Sequence, residues 1–138
     1  MSDDEPHKEI GPEQLLGELE ATIMQIIWRR GEVTVRDVLH ALQPARPLKY
    51  TTVMTVMSRL GQKGILTTRK HGKTFYYHAT LSAEEFVAQR AQRAVQTVLA
   101  NFGDTAMAYF LRELDGIDPE RLATLRELTA EEGHSDAT

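Results

Sequence analysis

The sequence has no cysteine in its 138 residues. Disulfides and thiolate metal sites are excluded, and a cytoplasmic location is expected. No run of 18 apolar residues occurs, so no membrane insertion is expected. The opening MSDDEPHKEI lacks the basic and apolar blocks of a secretory signal. No G-x-S-x-G, phosphate loop or H-E-x-x-H is present, and the five histidines are scattered. Enzymatic activity is therefore the least favoured reading, and neither a cofactor nor a metal is expected. Aromatics are sparse at 7%, while apolar content (41%) and charge (26%) are those of a globular domain.

What is present is an uneven charge distribution. The net charge is −4, yet residues 29–73 carry ten Lys/Arg against Glu32 and Asp37, a local +8. The segments 1–28 and 74–138 are each −6. A basic middle between acidic flanks is the pattern of an anion-binding face.

The apolar spacing orders the elements. Residues 1–14 are acidic and read as flexible. From Leu15, residues Leu16, Leu19, Ile23, Ile26 and Ile27 form a helical stripe ending at Gly31. Thr34-Val-Arg-Asp37 is a capping box opening a helix to Leu42, and Pro44 and Pro47 mark the loop after it. In the next helix Val53, Val56, Met57 and Leu60 make the buried stripe. The opposite face carries Thr51, Thr55, Ser58 and Gln62, with Thr52, Met54 and Arg59 at its margins. Ile65–Lys70 and Lys73–Ala79 favour strands, and His71-Gly72 between them predicts a tight hairpin. Ser82-Ala-Glu-Glu85 caps a long helix to about Phe102. Shorter helices follow at Asp104–Leu114 and from Pro119.

Three helices and then a hairpin define a winged helix-turn-helix, here covering residues 15–81. The fold class is mainly α with a small β-hairpin wing, followed by a three-helix region over 82–130 and a polar tail, 131–138. A recognition helix buries one face on its own domain and offers small hydroxyls to a major groove, with cations at its ends and on the wing for phosphates. The expected contact set for double-stranded DNA is Arg46, Lys49, Tyr50, Thr51, Thr52, Met54, Thr55, Ser58, Arg59, Gln62, Lys63, Arg69, Lys70, His71 and Lys73. A winged helix serving only protein interaction is the alternative.

The stretches LGELEATIMQIIWRRGEVTVRDVLHAL, YTTVMTVMSRLGQKGIL and GKTFYYHATLSAEEF resemble the penicillinase and methicillin-resistance repressors of the BlaI/MecI type. The resemblance implies a recognition helix over Lys49–Gly64, dimerisation through three C-terminal helices, and repression at inverted-repeat operators. It also implies cleavage by a membrane sensor metalloprotease that detects β-lactams. The matching Asn-Phe bond in VLANFGD is Asn101-Phe102. Two departures are plain: the Cys-rich C-terminal motif of copper-responsive relatives is missing, and Gly17 stands where a Ser or Thr cap is usual.

The apolar surface of residues 86–128 exceeds what the wing domain can cover. A homodimer with an interface of Phe86, Ala91, Val95, Val98, Phe102, Phe110, Leu111, Leu122 and Leu125 would bury it.

Overall fold

The computed structural model describes residues 9–135, with side chains placed to residue 130. The acidic stretch 1–8 and residues 136–138 lie outside the described residues. The chain divides within a single helix into two compact units, one up to Ala91 and one from Gln92.

The first unit begins with a short helical turn, α1 (Pro12–Leu15), which overlaps the end of the stretch 1–14 that the sequence marks as flexible. Pro12 stands at its first position, and the Gly11 N–H donates to Gln14 Oε1 at 2.7 Å. Helix α2 (Glu18–Arg30) starts at Gly17. Glycine offers no capping side chain, and the Gly17 N–H instead donates to Glu20 Oε1 at 3.1 Å. Gly31, at φ 86°, ends the helix in a conformation that side-chain-bearing residues rarely adopt.

Helix α3 (Val35–Leu42) begins with the expected capping box. The Thr34 N–H donates to Asp37 Oδ2 at 2.9 Å, and the Asp37 N–H donates to Thr34 Oγ1 at 3.1 Å. The Thr34 amide bond holds the Asp37 carboxyl below its ordinary value of 3.8. A depressed carboxyl contributes stability above its unfolded pKa and loses it as pH falls through the folded one. Thr34→Ala should therefore cost about 1 kcal/mol at neutral pH. Asp37→Asn should flatten the fall of melting temperature below pH 3.8. Thermal melts across that range check both, and an acid limb unchanged by Asp37→Asn would contradict the assignment.

Helix α4 (Tyr50–Gln62) buries Val53, Met57 and Leu60 against α2 and α3. Gly64, at φ 78°, lets the Ile65 N–H reach back to the Leu60 carbonyl at 2.9 Å, which turns the chain into the wing.

Strands β1 (Leu66–His71) and β2 (Thr74–Ala79) pair antiparallel, with Leu66 opposite Ala79 and His71 opposite Thr74. His71 and Thr74 are therefore paired residues, and the turn is Gly72-Lys73, one position later than the sequence implies. Gly72 takes φ 64° and Lys73 does not take a positive φ, as in a type II′ hairpin. Tyr77 is buried, and its backbone exchanges bonds of 2.9 and 2.7 Å with Val33. This bridge makes the Glu32-Val33 link a third, minimal strand of the wing.

The core joins Ile23, Met24, Ile27, Val38, Val53, Met57, Leu60 and Leu66 with Tyr77 and Phe86. Full burial of each large aliphatic side chain contributes about 1.5–3 kcal/mol. Phe86, expected at the dimer interface, is instead buried in this core. It packs on Trp28 with ring centroids 6.0 Å apart, inside its own unit. The Trp28 indole N–H donates to the Leu81 carbonyl at 2.9 Å, fixing the chain where α5 begins.

Helix α5 (Ala83–Phe102) carries the division between the units. Helix α6 (Asp104–Asp115) follows Gly103, and α7 (Pro119–Ser135) continues well into the segment read as a polar tail. In the second unit Val95, Val98, Phe102, Met107, Tyr109, Phe110, Leu111 and Leu114 are exposed, while Leu122 and Leu125 are half-buried. Among the described residues no helix is long and apolar enough to cross a membrane.

Candidate nucleic-acid interface

Helix α4 presents a face with no acid on it. Tyr50, Thr51, Thr52, Met54, Thr55, Ser58, Arg59 and Gln62 are all exposed, and no Asp or Glu lies between Lys49 and Lys63. Lys49 occupies the N-cap without a side-chain capping bond, and the first turn has no acidic residue. The Thr52 and Val53 amides bond the Lys49 carbonyl at 3.1 and 3.3 Å, which leaves the positive helix end with the Tyr50 and Thr51 amides to offer an anion. The Thr55 hydroxyl donates to the Thr51 carbonyl at 2.8 Å, so toward a ligand it is left as an acceptor.

Between α4 and the wing lies an open groove of about 690 Å³. Tyr50, Met54, Ser58 and Gln62 line it from α4, and Thr68, Lys73, Thr74 and Phe75 from the hairpin. Arg36, at the start of α3, forms its third side and stands 5.6 Å from the Tyr50 ring centroid. Arg36 belongs to the basic segment 29–73 but not to the contact set expected from the sequence. Its position beside Thr34 in the capping box was the available signal, because residues opening α3 face the start of α4 in a helix-turn-helix.

The cations divide into two groups. Arg29, Arg30, Arg36, Lys49, Arg59, Lys70 and Lys73 form no ion pair among the described residues. Arg46, Lys63 and Arg69 are each held by an acid. Lys63 Nζ is 3.0 Å from Glu20. Burial pulls the Glu20 carboxyl upward, but the Lys63 hydrogen bond, the Gly17 amide and the charges of Lys63 and Arg59 together set it below 4.5. Arg69 clasps Glu32 with both arms, at 2.7 and 3.3 Å, and lies 4.8 Å from the centroid of Tyr76, its cross-strand neighbour. That bidentate bond holds the Glu32 carboxyl below its ordinary value. Arg69 is therefore a strut tying the hairpin to the Glu32-Val33 segment rather than an unengaged cation at the wing tip.

Arg46 is not brought to the α4–wing groove. It lines a separate groove of about 610 Å³ with Arg29, Arg30, Ile26 and Ala45, and pairs with Glu18 at 3.6 Å. The +8 segment thus serves two surfaces. The wing tip keeps Lys70, His71 and Lys73 exposed, with Lys70 5.6 Å from the Phe75 ring.

A three-helix core, a bridged hairpin and an acid-free exposed helix define a winged helix-turn-helix. The chain belongs to the penicillinase repressor family, which it matches over residues 16–131. This is a family of DNA-binding transcriptional repressors, not of enzymes. Over 122 residues it is 33% identical to the transcriptional regulator BlaI of Mycobacterium tuberculosis, covering 86% of this chain and 88% of that protein. It is 21% identical over 116 residues to the penicillinase repressor of Bacillus licheniformis, covering 84% and 90%. Among solved structures it is similar to the monomeric form of Bacillus licheniformis BlaI in complex with the blaP half-operator. That match has 24% identity, a TM-score of 0.44, and covers 51% of this chain and 85% of the other.

Proposed function

We propose that the protein represses transcription as a homodimer, each protomer laying α4 in the major groove of one half of an inverted-repeat operator. The observation that carries this is the acid-free outer face of α4, flanked by Lys49, Arg59, Lys70 and Lys73, which form no ion pair among the described residues. Hydroxyls and Gln62 read base edges, and the cations hold the phosphates. The exposed apolar face of the second unit, with Phe102 64% and Leu111 61% exposed, supports pairing of two copies.

Thr55, restricted to accepting, suits an adenine or cytosine amino group. Thr51→Ala and Thr55→Ala should each relax base preference at one position per half-site by about 1 kcal/mol, a factor of five. Selection of random duplexes with the double variant is the measurement. An unchanged consensus would remove these residues from base reading.

Release by proteolysis fits the same reading. Asn101 and Phe102 are exposed in the last turn of α5, before Gly103 at φ 54°. A membrane sensor metalloprotease cutting there would sever the apolar face through one of its most exposed members, so that the two copies separate. Cells treated with a β-lactam should then yield a fragment ending at Asn101 by mass spectrometry. A chain that stays intact while its target genes switch on would exclude this switch.

A further inference from the structure

Among the described residues of the first unit, the large apolar side chains left exposed are Ile10, Tyr50, Met54 and Phe75. Three of them, Tyr50 (43%), Met54 (40%) and Phe75 (51%), line the one groove between α4 and the wing. The Tyr50 ring has Arg36 at 5.6 Å, and the Phe75 ring has Lys70 at 5.6 Å. Each aromatic thus has a cation partner, which gives it a role without any base contact. Met54 has no such partner among the described residues. It stands mid-helix among Thr51, Thr55 and Ser58, while Val53, Met57 and Leu60 satisfy the core on the opposite face.

A thioether is a weak acceptor and no donor, so it cannot match the polar pattern of a base edge. The apolar group a base pair presents in the major groove is the thymine 5-methyl. Methionine is flexible and polarisable, and it can settle on a methyl without demanding one fixed geometry. We infer that Met54 packs on a thymine 5-methyl group, making the protein selective for thymine at one position of each half-site. This inference rests on the repressor reading above.

The test uses the full chain and a duplex selected from a random pool. Each thymine is replaced in turn by deoxyuridine, which removes the methyl and keeps the base pair. Loss of one buried methyl should weaken wild-type binding about fourfold per half-site, and about fifteenfold when both symmetric positions are changed. Met54→Ala should bind the thymine and uracil duplexes equally at that position and still respond to the other thymines. Met54→Leu should keep the wild-type discrimination. Salt-dependent duplex binding with no position where uracil penalises wild type but not Met54→Ala would overturn the inference and leave the repressor reading standing. Discrimination against uracil that Met54→Ala fully retains would overturn it equally, assigning Met54 to support of the groove. Absence of duplex binding altogether would remove both.

Discussion

A chain carrying Phe102→Glu and Leu111→Glu should run as a monomer and bind its operator about 10²–10⁴-fold more weakly than wild type. Both side chains are among the most exposed in the second unit, so the charges enter no folded core. The first unit, whose core draws nothing from beyond Phe86, should keep its melting transition. Half-site binding should persist, because the α4 face and the wing are untouched. The loss comes from linkage alone: two half-sites held by one molecule bind at high effective concentration, and two separate molecules do not. Sedimentation with operator titration gives both numbers. A variant that stays dimeric would show that other residues of the second unit hold the pair.

The second large effect is ionic. Phosphate neutralisation releases counterions, so a dimer making about 6–10 phosphate contacts should lose roughly 10³–10⁵ in affinity between 50 and 200 mM salt. The net charge of −4 argues against so steep a response only if the charge is treated as uniform. Arg36, Lys49, Arg59, Lys70 and Lys73, all without ion pairs among the described residues, gather on α4 and the elements beside it. Arg59→Ala and Lys70→Ala should weaken binding to every sequence alike, each lowering the slope by roughly one to two contacts per dimer. Arg69→Ala should act differently: it unties the hairpin from Glu32, so its cost should appear in wing stability rather than in the salt slope.

Much of this was legible in the residue pattern because it is local. The stripe of Val53, Met57 and Leu60 and its polar reverse follow from a period of 3.6 residues. The Thr34–Asp37 box and the cap at Ser82–Glu85 are written within four residues each. What escaped is long-range. Glu20 and Lys63 are 43 residues apart, and Glu32 and Arg69 are 37 apart, so no local pattern shows that two expected phosphate contacts are already engaged. The Val33–Tyr77 bridge is a single pair and leaves no alternation to detect. Phe86 belongs to an apolar stripe, but periodicity says only that a side is buried, not whether its own unit or a second copy buries it. The hairpin slipped by one position because His71-Gly72 and Gly72-Lys73 both supply the glycine, and only the backbone shows that glycine comes first in the turn.

Two copies of the α4 face, related by symmetry, should act together on one duplex. Selection of random duplexes by the intact chain, followed by footprinting of the winners, tests it most directly. Two inverted half-sites are expected, with centres about 10 base pairs or a multiple of that apart, protected over adjacent major grooves. Enrichment of a single asymmetric half-site, or of no sequence at all, would contradict it.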